Sequence, residues 1–238
     1  MLDLEQDYSE IVLFGFGKLG FRIHEALSSA FNEIKIIDNR KDIIESAKKS
    51  GIESAFFIDI TNDLKLEEVG LDNKILFCAM DEMSLNIFLV LSLKTLSTNS
   101  TIISVSTSAE NTRKLKFIGA DKVIDLYESS ANRIVDIITR PTVTKVLDEI
   151  IYVDNGISIE EIEIPPNSFL EDKYISDVDF REFGLILIGI TDKEISDNFI
   201  FATKGINHKF DAGDILVLLG ESKVLENFYT LLMGQKDE

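Results

Sequence analysis

Short apolar runs alternate with helical patterns through the first half of the chain, and that alternation limits the fold more than any other feature. EIVLFGF, EIKIIDN, SAFFIDI, NKILFCAM, STIISVS and DKVID read as strands in that order. Between them lie KLGFRIHEALSSA, RKDIIESAKKSG, DEMSLNIFLVLSLKTL and AENTRKLKFIG, with apolar residues at helical spacing. Two of these close on a glycine, as a helix C-terminus does. The strand runs are near-continuously apolar, so both faces of their sheet are covered. Strands joined by helices of this length predict βαβ units in a doubly wound, parallel α/β sheet.

The second half changes character. SSANRIVDIITRPTVTKVLD is one amphipathic pattern interrupted by Pro141, which removes a backbone donor and disfavours helix at the residue before it. It predicts a helix, a break and a second helix, with Ile134, Ile137, Ile138, Val143, Val146 and Leu147 as a continuous apolar face. After Ile150 the text IIYVDNGISIEEIEIPPNS alternates around a DNG turn and reads as a β-hairpin. Short strands follow, then a closing helix ESKVLENFYTLL, giving a small α+β domain. The expected organisation is residues 1–128, a helical connection over 129–148, and residues 149–238.

The first strand runs into Gly15-Phe16-Gly17-Lys18-Leu19-Gly20, a G-x-G-x-x-G spacing at a strand-to-helix turn. In a Rossmann-like sheet the first glycine makes the turn and the second lets backbone approach a pyrophosphate. The third packs helix on strand, and phosphate sits at the helix N-terminus. Asp38 ends the second strand 18 residues after Gly20, where a carboxylate would bind ribose hydroxyls. It would repel a 2′-phosphate, favouring NAD(H) or an adenine nucleotide over NADP(H). Arg40 could contact a phosphate or face solvent, and Lys18 could neutralise a phosphate or stand solvated. Asp59 and Asp81 follow the third and fourth strands, at the sheet end where ligands collect. Asp81 could equally cap the next helix.

Composition narrows the function. With 24 Lys and Arg against 42 Asp and Glu, the formal charge is −18, which argues against a nucleic-acid backbone or an anionic membrane surface as partner. The acidic excess is larger after Pro141, net −12 against −6 before it, as two domains of different character would give. Cys78 is the single cysteine, so no intrachain disulfide or thiolate cluster can form. MLDLEQDYSE lacks a basic, apolar leader, and FGLILIGI falls far short of the roughly 20 residues of a membrane span. Neither His24 nor His208 sits in a nucleophile or metal motif, and no H-E-x-x-H, G-x-S-x-G or P-loop occurs. Catalysis is the weaker expectation, and the chain is expected not to be an enzyme.

VLFGFGKLG, IIDNRKD, FIDITND, ILFCAMDEMSLNIFLVLSLKTL and IISVSTSAENTRKLKFIGADKVID resemble, in order, the N-lobe of the regulator-of-potassium-conductance (RCK) or TrkA-type family. IEEIEIPPNSFLEDKYISDVDFREFGLILIGI and DAGDILVLLGESKVLENF resemble its C-terminal domain. The resemblance implies a cytoplasmic regulator at the inner face of the membrane, gating a potassium channel or transporter through a pore domain or membrane subunit. It implies a homodimer, octameric rings in some members, and an adenine nucleotide, NAD(H) or a divalent cation as ligand. By position, Gly15, Gly17 and Gly20 would hold phosphates, Asp38 the ribose, and Asp59 and Asp81 would border the base, with Lys18, Leu19, Asn39, Ile60 and Ala79 also expected at the nucleotide site. Asp125 and Glu128 lie near where some members bind a divalent cation. Two positions depart from the pattern: Val105 stands where an arginine often follows the fifth strand, and Ile58 where a glycine precedes the third-strand acid. The alternatives are an NAD-dependent oxidoreductase, supported by the glycine loop and Asp38 alone, and a scaffold with a vestigial pocket.

Overall fold

The computed structural model describes residues 10–28, 30–31, 33–153, 155–192, 199–205 and 207–234. The chain divides into two compact units, Met1–Val135 and Asp136–Glu238, and the division falls inside a helix.

In the first unit the order is β1 (Glu10–Phe14), α1 (Lys18–Leu27), β2 (Glu33–Asp38), α2 (Lys41–Lys49), β3 (Ala55–Phe57) and α3 (Asp63–Glu67). β4 (Ile75–Cys78), α4 (Met83–Leu96), β5 (Thr101–Ser106), α5 (Ala109–Phe117) and β6 (Lys122–Asp125) continue it, and α6 (Leu126–Thr139) crosses the division. The strands are parallel in the order β3-β2-β1-β4-β5-β6, the doubly wound sheet expected from the sequence. Both faces are covered. Val12 and Phe14 pack with Leu66 of α3, Leu89 and Leu93 of α4 and Leu115 of α5. Ile11 and Leu13, pointing the other way, pack with Ile44 and Ala47 of α2. Each such fully buried side chain contributes about 1.5–3 kcal/mol. β1 lies between β2 and β4, so chain order reverses at its carboxyl end and a crevice opens there.

The third strand is shorter than SAFFIDI suggests, because only Ala55–Phe57 pairs with β2 at the sheet edge. Phe56 and Phe57 remain exposed, with the ammonium groups of Lys48 and Lys41 over their rings at 5.8 and 5.1 Å.

In the second unit α7 (Pro141–Tyr152) precedes β7 (Ile157–Glu163), β8 (Ile186–Thr191), β9 (Phe199–Phe201), β10 (Ile215–Glu221) and α8 (Ser222–Leu232). The sheet is antiparallel in the order β7-β10-β8-β9. Pro141 opens α7 at its first turn, where its missing N–H costs nothing. The expected hairpin around DNG does not form. Ile150, Ile151 and Tyr152 complete α7, and β7 pairs with β10. The Asn155 side chain binds the carbonyl of Glu149 and the amide of Ile157 at 3.1 and 3.0 Å, so this turn closes a helix. Asp154 lies outside the described residues. YISDVDFREFG folds as two 3₁₀ turns, Ile175–Asp177 and Phe180–Phe183. The core here is aromatic, with Phe180, Phe210 and Phe228 buried among Ile162, Ile164 and Leu216.

Candidate functional site

The carboxyl end of β1 meets the crevice at Gly15, whose φ of 97° is a conformation that L side chains rarely adopt. Its amide donates to the carbonyl of Ile37, and the amide of Ala79 donates to the carbonyl of Phe14 at 2.7 Å. A Cβ at Gly15 would stand 2.5 Å from the Ala79 carbonyl oxygen, and one at Gly20 would overlap the carbonyl oxygen of Gly15. Gly17 is the N-cap of α1 and offers no side-chain cap of its own. The Asp81 carboxylate lies where a Cβ of Gly17 would project.

Asp38 is fully buried at the end of β2. Its Oδ2 accepts from the Phe16 amide and from Nη2 of Arg40, both at 2.8 Å. Its Oδ1 accepts from the amide and Nε of Arg40, both at 2.9 Å. Nη1 of Arg40 reaches Asp81 at 2.6 Å. Burial alone would raise the Asp38 pKa. The side-chain bonds from Arg40, the Phe16 amide and the Arg40 charge outweigh it and hold the carboxyl below its ordinary value. The same pairing, with Asp38 first and Asp81 second, keeps Arg40 protonated. Arg40 thus clips the β2 loop to the β4 loop. Asp81 does not cap α4, whose N-cap is Glu82. The buried Asn86 fixes the loop that carries Asp81, binding the Met80 amide and carbonyl at 2.8 and 2.9 Å.

Beside this clip a cleft of about 650 Å³ opens between α1 and α2, lined by Gly17, Lys18, Phe21, Arg22, Arg40 and Asp81 among others. Beside the Asp38–Arg40–Asp81 clip it offers Lys18 and Arg22, a helix N-terminus and an aromatic edge, a chemistry suited to an anionic ligand with a planar group.

The sequence-derived residues divide. Gly17, Lys18 and Asp81 line the cleft, and Gly15 and Gly20 shape the turn beneath it. Leu19 packs into the core on the α1–α2 side, and Ile60 and Ala79 are buried. Asn39 is half-buried in the turn before Arg40. Asp59 is exposed and turned to Thr61, whose amide and hydroxyl bind its Oδ1 at 3.0 and 2.6 Å. Asn86, Phe21 and Arg22 were not expected there, and Arg40, weighed as a phosphate contact or a solvent-facing side chain, binds Asp38 and Asp81 instead. None of Asn86, Phe21 and Arg22 carries a local signal in the sequence.

Asp125 is buried and accepts from the amides of Tyr127 and Glu128, both at 3.1 Å, and from the Thr112 hydroxyl at 3.2 Å. It caps the start of α6, and Glu128 is exposed. No group of three or more His, Cys, Asp or Glu among the described residues is placed to hold a metal ion. Val105 is buried within β5. Burial pushes the Cys78 thiol well up, away from nucleophilic character. His24 packs edge-on to Phe16 at 5.7 Å, and burial lowers its pKa. His208 bonds Asp214 through Nε2 at 2.8 Å within the second unit.

A parallel six-stranded sheet with a glycine turn and an acid at its switch point, followed by a small antiparallel unit, defines a Rossmann-like domain joined to an α+β domain. The TrkA-N domain family matches residues 11–126 and the TrkA-C domain family residues 159–233. The chain belongs to this RCK, or TrkA-type, family. It is 26% identical over 241 residues to probable potassium channel protein 2 of Methanocaldococcus jannaschii, covering 94% of this chain and 67% of that one. It is 23% identical over 228 residues to potassium channel protein 1 of the same organism, covering 94% and 66%. The chain therefore spans about two thirds of the length of these curated relatives. The human SLO3 gating ring shares its fold, with a TM-score of 0.69 at 15% identity over 92% of this chain and 45% of that one. No helix among the described residues is long and apolar enough to cross a membrane.

Proposed function

We propose that this chain is the cytoplasmic gating part of a potassium channel or transporter, and that it senses an adenine nucleotide or NAD(H) in the cleft at Gly17. One observation carries the reading: TrkA-N and TrkA-C domains occur in series in a chain that aligns along 94% of its length with a protein named as a probable potassium channel. Such a role requires no catalytic group. It requires ligand affinity that differs between two arrangements of packed subunits. The packing element is the helical connection. α6 exposes Ile134, Ile137 and Ile138, and α7 exposes Val143, Val146, Leu147 and Ile151. Apolar residues left exposed along two successive helices support burial against a second copy.

A thermal-shift panel of ATP, ADP, NAD+, NADH and Ca2+ tests the ligand. A ligand of the native state raises Tm by mass action, and one of the nucleotides is expected to do so by several degrees at saturation. Turnover of NADH with a small substrate would overturn the regulatory reading, and indifference to every nucleotide would overturn the sensing one.

A further inference from the structure

We propose that Arg40 is a latch on the nucleotide cleft: its guanidinium occupies the ribose anchor Asp38, and a nucleotide with a free ribose diol must displace it to bind. The inference rests on the nucleotide reading above and adds what controls access and which ligands qualify.

An ionised carboxylate accepts about four hydrogen bonds. Asp38 already accepts from the Phe16 amide and from the amide, Nε and Nη2 of Arg40, so no acceptor site remains for a ribose hydroxyl. Two of these donors are backbone amides fixed by the loop. The other two belong to a side chain 36% exposed at the edge of an open cleft, and only they can leave without unfolding the turn. A ribose diol supplies two O–H donors, the number that the guanidinium withdraws. Exchange therefore keeps the buried carboxylate satisfied, which matters because an unsatisfied buried charge is costly. A 2′-phosphorylated ribose offers one donor fewer and sets a second negative charge beside Asp38. The latch opens for diol nucleotides such as ADP or NAD+ and stays closed to NADP+. Its third bond, from Nη1 to Asp81, ties the β2 loop to the β4 loop, so opening also releases Asp81.

The latch lowers apparent affinity by the fraction of time it is closed. If it is open about one part in ten, removing it tightens binding about tenfold. Titration calorimetry of ADP, 2′,3′-dideoxy-ADP and NADP+ into the wild-type chain, Arg40→Ala and Arg40→Lys tests this. Arg40→Lys keeps the charge and loses the fork, and it serves if Arg40→Ala fails to fold. Tighter ADP binding in the variants, with 2′,3′-dideoxy-ADP unchanged, is the expected result. Its sign is opposite to that of simply deleting a cation from a phosphate site. Weaker ADP binding in both variants would make Arg40 a phosphate contact and overturn the latch while leaving the pocket in place. NADP+ binding that exceeds ADP binding in the wild type and collapses in Arg40→Ala would overturn it in the same way. Failure of all three chains to bind any nucleotide would remove the pocket itself, and the latch with it.

Discussion

Gly15→Ala is expected to cost the amino-terminal unit about 4 kcal/mol, combining ~1–3 kcal/mol of backbone strain with ~1–3 kcal/mol of overpacking. The atoms in the way are the carbonyl carbon and oxygen of Ala79 and the amide nitrogen of Met80, all within 2.6 Å of the added carbon. None can swing aside, because the Ala79 amide is bonded to the Phe14 carbonyl and Met80 is clamped by Asn86. That loss is a large share of the 5–15 kcal/mol that stabilises a typical domain. Gly51→Ala is the matched comparison, with φ of 89° and nothing within 4 Å of the added carbon. It should cost about 1 kcal/mol, the backbone part alone. Urea unfolding followed by far-ultraviolet circular dichroism reads both. Equal losses would show that the close approach of β1 and β4 contributes nothing, and that the crevice is wider than described.

If the chain assembles through α6 and α7 as proposed, the double substitution Ile138→Glu with Val146→Glu is expected to convert it to a monomer. Ile138 is 73% exposed on α6 and Val146 46% exposed on α7. Neither side chain supports its own unit's core, so secondary structure and Tm in dilute solution should change little. If these faces meet a second copy, each glutamate buries an unpaired charge, a penalty large enough to weaken association by a factor of about a hundred or more. Light scattering after size exclusion decides it. A wild-type chain already monomeric at micromolar concentration, or a variant that stays dimeric, would remove the connection from the interface.

Particular residues show how much of this could be read in the sequence. The doubly wound sheet was legible because Val12, Phe14, Leu76, Ile102 and their neighbours are apolar without a break, which only a sheet covered on both faces tolerates. The break at Pro141 was legible because a missing donor acts locally. The α7 ending was misread because Ile150, Ile151 and Tyr152 fit both a strand and the next turn of a helix. Spacing alone does not separate the two over so few residues. Edge position, which the sequence does not state, shortened β3 to three residues. The glycine turn is readable from its spacing, and Asp38 stands at the end of β2, where the sequence pattern puts an acid. What Asp38 holds was not readable. Arg40 is two residues away, but its second partner is Asp81, 41 positions on, and only the folded sheet brings the two loops together.

The central claim is that nucleotide occupancy and subunit packing are coupled. Calorimetric titration of ADP and NADH into the wild-type chain and into the monomeric Ile138→Glu, Val146→Glu variant measures that coupling directly, since neither substitution touches the cleft. By linkage, a ligand that biases the assembly must bind assembled and dissociated chains with different affinity, and the difference is expected to be about fivefold or more. Identical affinities in the two chains would contradict the account, leaving a nucleotide pocket that reports to nothing.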